Sequence, residues 1–222
     1  MTSAKSTGRI VGVLLVLQLA GLMVPFILLH PVTDADYLSN AAAYSAQIKT
    51  AVLLFFANGA LTIGISIVAW PVFRQHSAPM AMWLIILGVI MFVLQAVDNV
   101  HIMTMLSLSR QYVQGAISGE IANALATTVR MTRRWAHYPV LFAIDFWLMM
   151  LYAIVLRFGL AARVLAAFGL FTVLVQFFTV PLPGFLEYGI NTMLGVPMAV
   201  GILVFAVWLM VKGFEENRDS LR

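Results

Sequence analysis

Residues 79–101 read PMAMWLIILGVIMFVLQAVDNVH, an apolar run with polar side chains gathered at its far end. A helix that crosses a bilayer needs about 20 predominantly apolar residues, because its backbone polar groups must be satisfied within the helix. Five other apolar runs, of 17 to 24 residues, lie elsewhere in the chain. Together they predict six transmembrane helices at about Ile10 to Leu29, Thr50 to Phe73, Pro79 to His101, Tyr138 to Leu156, Val164 to Val180 and Ile190 to Val211.

The composition of the whole chain is that of a membrane protein. Its 222 residues are 62% hydrophobic and 10% charged, and the mean hydropathy is +0.97. Soluble domains are about 45–50% apolar and about 25% charged. Because no connection between the apolar runs is long enough for a separate soluble domain, we predict one all-α, polytopic membrane domain over residues 1–222. This composition excludes a secreted enzyme, a cytosolic nucleotide-binding enzyme and a DNA-binding module.

The cysteine and charge content narrows the chemistry further. The chain has no cysteine, which excludes disulfides, thiolate nucleophiles and cysteine-ligated metal clusters. The formal charge is +4, but the 13 Lys and Arg residues lie mainly at the ends of apolar runs. They form no basic stripe with interleaved aromatic residues, so we expect no nucleic-acid partner.

The same basic residues predict the orientation. If the N-terminus is cytoplasmic, eight of the 13 basic residues lie on the cytoplasmic side. The other five lie outside: Lys49, Arg110, Arg130, Arg133 and Arg134. Cytoplasmic loops carry an excess of Lys and Arg, so we predict that both termini are cytoplasmic.

Two outer connections have the pattern of short amphipathic helices. Residues 33–36, Thr-Asp-Ala-Asp, fit a capping box. Apolar residues then recur at helical spacing at Tyr37, Leu38, Ala41, Tyr44 and Ile48. Between Ile117 and Ala136, apolar residues step by four at Ile117, Ile121, Leu125 and Val129, which predicts a helix lying in the membrane interface.

Polar side chains gather in the outer halves of the predicted helices. They are Gln18, Asn58, Gln95, Asp98, Asn99, His101, His137, Asp145 and Gln176. Intramembrane polar groups are costly and usually face the bundle interior or a hydrated cavity, so this shared depth predicts a polar cleft that opens outward. The alternative is that single amides such as Gln18, Asn58 and Gln176 only bond neighbouring helices.

Asp145 is the carboxyl group placed deepest in a predicted span. A charge there is costly unless it is protonated or paired. Tyr138 and Tyr152 lie seven residues to either side and share its helix face, so this stripe could carry protons or hold a polar ligand. The alternative is a structural Asp satisfied by a Tyr hydroxyl or by an Arg of the outer connection.

Asp98 and His101 lie one helical turn apart, with His30 and His137 at a similar depth. Three histidines at one level make a His-ligated metal or a haem conceivable, with His30, His101 and His137 as ligands. No close paired ligand spacing such as H-E-x-x-H is present. We therefore predict no cofactor and keep the metal and the haem as minor alternatives.

Arg130, Arg133 and Arg134 cluster on one side of the predicted interfacial helix, next to Trp135. Arginine forks suit phosphate and carboxylate groups, so this cluster fits an anionic lipid head group or an acidic substrate. The alternatives are a solvated face or a partner for Asp98 or Asp145.

Several pieces of the C-terminal half resemble a known family. They are His137-Tyr138, Arg157-Phe158-Gly159, Arg163-Val164-Leu165 and the closing residues 208–214, WLMVKGF. They resemble a bacterial family of six-helix membrane proteins known only as a domain of unknown function. The resemblance implies a bacterial cytoplasmic (inner) membrane and no particular activity. The family often has Pro where this chain has Ala162, and it lacks the Asp98-Asn-x-His101 motif.

These patterns support two functions for one outer cleft. The first is binding of a small amphiphile or a membrane lipid, with ligand-binding residues Gln95, Asp98, Asn99, Tyr138, Asp145, Gln176, Arg130, Arg133 and Arg134. The second is an intramembrane enzyme with catalytic candidates Asp98, His101, His137 and Asp145, acting by acid–base or metal chemistry. A scaffold for another membrane protein is a third possibility.

Overall fold

The computed structural model describes residues 3–188 and 192–215. Within these ranges the chain forms helices joined by turns, with no strand. The α-helices are α1 (Ala4–Leu28), α2 (His30–Thr33), α3 (Tyr37–Asn40), α4 (Ser45–Val113), α5 (Gly119–Phe158), α6 (Arg163–Thr179), α7 (Pro181–Phe185) and α8 (Val196–Lys212). Short 3₁₀ helices at Ala41–Tyr44 and Thr192–Gly195 lead into α4 and α8.

The long helix α4 is interrupted at Ser77. This residue has extended backbone angles, φ −160° and ψ 101°. Its Oγ accepts a hydrogen bond from the Met80 N–H at 3.4 Å, as the side chain of a helix N-cap does. Pro79 then falls in the first turn of the following helix, where a missing N–H costs nothing. α4 is therefore two helices, residues 45–76 and 78–113, that turn back on each other at Ser77 and pack antiparallel, with Ser66 Oγ 3.4 Å from the Leu84 carbonyl.

Five helices of the described chain are long and apolar enough to cross a membrane. Their bounds are Ala4–Leu28, Tyr37–Val113, Gly119–Phe158, Arg163–Phe185 and Met193–Lys212. These helices confirm the prediction of an all-α membrane protein with apolar helices. The spans predicted at residues 50–73 and 79–101 lie on either side of the Ser77 break. The last predicted span begins at Ile190, outside the described residues.

The two ends of the bundle differ in their contacts. At the break end, defined by Ser77, the Phe73 ring lies 5.3 Å from that of Phe214, and the Glu215 N–H donates to the Leu160 carbonyl at 2.8 Å. Gly8 packs against Phe214, so the start of α1 and the end of α8 also lie here. At the opposite hairpin end, residues 114–118 connect α4 to α5. Gly159, with a φ of 62°, closes α5 at the break end in the left-handed conformation that glycine tolerates.

Close backbone contact joins the first and last long helices. A Cβ added to Gly12 would lie 2.6 Å from the Ala206 carbonyl oxygen and 2.7 Å from the Met210 nitrogen. Small residues permit this approach between helices in membranes. The main apolar core surrounds this contact and includes Val11, Leu15, Trp147, Tyr152, Phe205 and Leu209.

A second apolar core lies at the hairpin end. Tyr37 and Ile48, from the connection and the start of α4, pack there with Ile102 and Met105 in the second half of α4. The Tyr37 hydroxyl donates to the Ala126 carbonyl of α5 at 3.1 Å. The connection between α1 and α4 is thus held against the helical hairpin that α4 and α5 form.

The structure corrects two local predictions. The predicted capping box does not form, since Thr33 Oγ1 donates back to the carbonyls of Leu29 and His30, and α3 has no side-chain cap. Residues 119–136 are not a separate interfacial helix but the first part of α5, a continuous helix of 40 residues. At 1.5 Å per residue α5 is about 60 Å long, more than a bilayer core requires.

Candidate functional site

The hairpin end holds a cavity of about 440 Å³ between the first connection and the helical hairpin. Its walls carry both polar and apolar side chains. They include Asp36, Tyr37, Ser39, Tyr112, Asn123, Thr127, Arg130 and Met131. This volume lies in the range of small-molecule sites, about 300–1,000 Å³.

Arg130 is the fixed cation of this cavity. Its Nη2 donates to the Asp34 carbonyl at 2.8 Å and to the Ala35 carbonyl at 2.6 Å. The guanidinium also lies over the Tyr37 ring, 5.1 Å from the ring centre. Nε and Nη1 make no hydrogen bond within the described residues, so three of the five N–H groups remain available. The side chain is therefore both held in place and able to bind an anion.

A polar cluster lies between the second half of α4 and the turns of α5 that follow Arg130. Asp98 is 1% exposed, and its Oδ2 lies 3.1 Å from Nδ1 of His137. Arg133 Nε lies 3.5 Å from Asp98 Oδ1, close enough for an ion pair but without the geometry of a hydrogen bond. This pairing of the Arg cluster with Asp98 is one of the alternatives that the sequence left open.

Two amides of α4 flank this cluster. Gln95 Nε2 donates to Asn99 Oδ1 at 3.1 Å, and Asn99 Nδ2 donates to the Val52 carbonyl at 3.4 Å. The two halves of α4 are joined by this second bond. Both amides therefore form hydrogen bonds within or between helices. Such bonding is the alternative to a ligand-binding role for amides in the predicted spans.

The Asp98 carboxylate orients the imidazole of His137. A carboxylate acceptor at Nδ1 favours the tautomer with a proton on Nδ1, and Nε2 is then the basic nitrogen. His137 has a side chain 28% exposed, whereas Asp98 is buried. In this pair a buried carboxylate, Asp98, orients a more accessible imidazole, His137.

Arg134 and Tyr138 belong to a third group, at the contact between α5 and α7. Arg134 Nε donates to the Tyr138 hydroxyl at 3.2 Å, and its guanidinium lies 5.8 Å from the ring centre. The Tyr138 ring packs on Gly184 and lies 6.4 Å from the ring of Phe185. The Tyr138 hydroxyl is thus bonded to an arginine and does not reach Asp145.

Asp145 and Gln176 lie deeper in the bundle. Asp145 is fully buried, and neither of its carboxyl oxygens has a hydrogen-bond partner within the described chain. Gln176 is 7% exposed, and its Oε1 is also unpartnered there. Tyr152, the other tyrosine of the predicted stripe, packs against Gly169 and Phe205.

The nine predicted ligand-binding residues are therefore distributed over separate places. Arg130 lines the large cavity, Asp98 and Arg133 belong to the buried cluster, and Gln95 and Asn99 flank that cluster. The pairs Arg134–Tyr138 and Asp145–Gln176 stand apart from both. Among residues 3–188 and 192–215, no three His, Asp or Glu side chains are grouped to hold a metal ion. His30 is exposed and His101 is half-buried, and the prediction that no cofactor binds stays a prediction.

Comparison with protein families gives one result. The family described as Domain of unknown function (DUF4386) matches residues 10–213. The chain belongs to this family. The resemblance seen in its C-terminal pieces is confirmed, and the match extends from the first predicted span to Gly213. The comparisons with curated proteins and with solved structures give no match.

This DUF4386 protein also contains a polar chain of which only Gln18 and Asn58 were singled out from the sequence. Trp147 Nε1 donates to Ser66 Oγ at 2.9 Å, and Ser66 Oγ donates to the Thr62 carbonyl at 3.0 Å. Gln18 Nε2 donates to Thr62 Oγ1 at 2.6 Å, beside a cavity of about 30 Å³ that Asn58 also lines. Thr62 and Ser66 lie one turn apart, which is the sequence signal for this chain.

The residues that complete the large cavity were also missed as a site. Tyr37 was assigned to an apolar face, and Tyr112 was not noted. Asn123 and Thr127 share a face with Arg130 at steps of four and three, and this spacing is the sequence signal from which the α5 wall could have been found.

Proposed function

We propose that this DUF4386 protein crosses the membrane six times and binds an amphiphile with an anionic head group at its hairpin end. The Ser77 break supports six crossings, because an N-cap starts a new helix there and both halves of α4 are apolar. The start of α1 and the end of α8 meet at the break end. A chain that returns to the side where it began crosses an even number of times.

The proposed membrane is the bacterial cytoplasmic membrane, with both termini in the cytoplasm. The positive-inside rule favours this orientation, since eight of the 13 basic residues then lie inside. It places the break end in the cytoplasm and the hairpin end outside. The short helices α2 and α3 and the first turns of α5 would then lie on the outer side.

The observation that carries the binding proposal is the position of Arg130. Its guanidinium is fixed by two carbonyls and a ring, while three N–H donors remain available at the wall of a 440 Å³ cavity. The remaining N–H groups on Nε and Nη1 can each donate a charge-assisted hydrogen bond to a carboxylate or phosphate oxygen. A preoriented guanidinium loses little conformational entropy when the anion binds.

Apolar side chains beside the cavity favour a ligand whose remaining part is apolar. Met131 lines it and is 39% exposed, and Ile121 and Leu125 are exposed on the same stretch of α5. These side chains provide an apolar surface beside the charged group. An anionic head with an apolar tail matches both, and a membrane phospholipid is the nearest source of such a molecule.

The proposal is tested with short-chain lipids and the purified protein. Dioctanoyl phosphatidylglycerol should raise the Tm of the wild type, because a ligand that binds only the folded state stabilises it. The zwitterionic phosphatidylcholine of equal chain length should raise Tm less. Arg130→Gln should abolish the difference between the two lipids. Arg157→Gln, which alters an exposed arginine at the break end, is the matched control and should retain it.

Equal stabilisation of the wild type and Arg130→Gln by phosphatidylglycerol would refute the binding site. A loss of the effect in Arg157→Gln as well would attribute it to total charge rather than to the cavity.

The Asp98–His137 pair supports a second candidate, an intramembrane enzyme with His137 as the general base. The supporting contact is the 3.1 Å distance between Asp98 Oδ2 and His137 Nδ1, since a buried carboxylate that orients a histidine is a common arrangement in acid–base catalysis. If the protein modifies a lipid, the lipid masses of expressing membranes should change, and His137→Gln should restore the pattern of cells without the protein. Identical lipid masses with and without the wild-type protein would exclude this candidate for membrane lipids.

A further inference from the structure

We propose that Asp145 and Gln176 form a proton-binding site inside the bundle, separate from the cavity at Arg130. The Asp145 carboxyl group holds the proton, and Gln176 Oε1 accepts its hydrogen bond. The ligand is a proton, so the site would link whatever the protein does to proton uptake and release.

The first support is the helix register that brings the two residues to one level. The ring of Phe177 on α6 lies 5.6 Å from the rings of both Phe142 and Phe146 on α5. Further along the same antiparallel pair, Tyr152 packs on Gly169. Asp145 lies seven residues before Tyr152 and Gln176 lies seven residues after Gly169, so this antiparallel register brings Asp145 and Gln176 to one level.

The second support is that the oxygens at this level lack donors. Asp145 is fully buried and Gln176 is 7% exposed. Asp145 Oδ1, Asp145 Oδ2 and Gln176 Oε1 are all buried acceptors without a hydrogen-bond partner in the described ranges. Unpartnered buried acceptors are unfavourable, and an ionised carboxylate in a membrane interior is more so. One proton on Asp145 converts one of these acceptors into a donor.

The neighbouring helices provide no cation to neutralise Asp145. α5 packs against α3, α4, α6 and α7. The one basic residue of α6 is Arg163 at its start, and α7 has no titratable residue. In α3 Tyr37 bonds the Ala126 carbonyl, and in α4 Asp98 is paired with Arg133 and His137.

The remaining titratable groups are distant along the chain. On α5 itself, Tyr138 and Tyr152 lie two turns away on either side; His137 and the charged residues before it lie farther toward the hairpin end, and Arg157 lies farther toward the break end. In α4, Arg74 and His76 lie next to the break, while Lys49, His101, Arg110 and Tyr112 lie toward the hairpin end. With no basic side chain beside it, the Asp145 carboxylate is neutralised by a bound proton.

The ligand set also favours a proton over a metal cation. Ca²⁺ takes 6–8 oxygen ligands and Mg²⁺ demands an octahedral shell. The site offers one carboxyl group and one amide oxygen from the described residues. A proton needs only the carboxyl oxygen that carries it and one acceptor.

The test is labelling of the wild-type protein with dicyclohexylcarbodiimide, an apolar reagent that reacts with protonated carboxyl groups. Peptide mass spectrometry should find the adduct on Asp145 and not on the exposed Asp36. Asp145→Asn should remove the adduct, and Asp36→Asn should leave it unchanged. Because the label is read on the wild type, the result does not depend on a variant that folds poorly.

Infrared spectroscopy provides the second readout. The wild type should show the carbonyl band of a buried carboxylic acid, which Asp145→Asn removes and Gln176→Leu shifts through loss of its hydrogen-bond acceptor. Absence of both the adduct and the band would overturn the proposal. Protection of Asp145 from the reagent by sodium ions at constant pH would also overturn it, since the site would then bind a metal cation.

Discussion

His137 Nδ1 lies 3.1 Å from Asp98 Oδ2, and this contact joins α5 to the second half of α4 near the hairpin end. Arg133, one turn before His137, lies 3.5 Å from the other oxygen of the same carboxylate. One buried anion is therefore held by two side chains of one helix. The contact fixes the face that α5 turns toward α4, and it leaves Arg130, one turn earlier, free to line the cavity.

The Asp98 carboxylate should contribute measurably to stability. Asp98→Ala is expected to lower the free energy of unfolding by about 2–3 kcal/mol, because it removes the buried carboxylate that bonds His137 and forms an ion pair with Arg133. Asp36→Ala is the control, since that carboxyl is exposed and caps no helix through its side chain. Denaturant titration in detergent micelles measures both variants. If both variants unfold with the same free energy, the contacts of Asp98 with His137 and Arg133 make no net contribution to stability.

The contact between α1 and α8 should be sensitive to one methyl group. Gly12→Ala is expected to destabilise the protein by about 1–3 kcal/mol, because the new Cβ would overlap the backbone of α8. Gly64→Ala is the matched control within a helix, since nothing lies within 4 Å of its added Cβ. Thermal unfolding of both variants under identical conditions measures the difference. A Gly12→Ala protein as stable as Gly64→Ala would argue against this close approach.

The proposed topology predicts which exposed turns face the cell exterior. The chain has no cysteine, so a single introduced one is its only thiol. A membrane-impermeant maleimide should label Gln114→Cys in intact cells, because residue 114 lies in the hairpin turn. It should label Ala78→Cys, next to the break, only after the membrane is permeabilised. Labelling of both variants from the same side would contradict a crossing between them.

The apolar helices could be predicted from the sequence because lipid imposes both their length and their composition. The run at residues 79–101 and its neighbours have few alternatives in a chain of this hydropathy. The Ser77 break could also be predicted from the sequence, since Ser77 is a helix-capping residue and Pro79 a first-turn proline between two apolar runs. These features depend on local sequence.

The faces that the helices present to each other were less predictable. The step-of-four pattern at Ile121 and Leu125 predicted an interfacial helix but not the face that packs on the protein: both side chains are exposed, while Ala122 is buried. In a membrane protein an apolar side chain is equally satisfied by lipid and by protein, so apolar periodicity does not identify the packed face.

The separation of the polar residues into several groups could not be predicted either. Their common depth was predicted from the helix directions, but depth does not determine the rotation of a helix about its axis. Arg130, Arg133 and Arg134 are close in sequence, yet they contact a carbonyl pair, a carboxylate and a tyrosine respectively. Those partners depend on how α5 packs against α3, α4 and α7, which is tertiary information.

Lipid retention in native mass spectrometry tests the binding site at Arg130 most directly. The protein is released from nanodiscs that contain equal amounts of phosphatidylglycerol and phosphatidylcholine. The wild type and Arg157→Gln should retain phosphatidylglycerol preferentially, whereas Arg130→Gln should retain the two lipids in proportion to their supply. If Arg130→Gln keeps the wild-type preference for phosphatidylglycerol, the cavity at the hairpin end is not the site of anionic head-group binding.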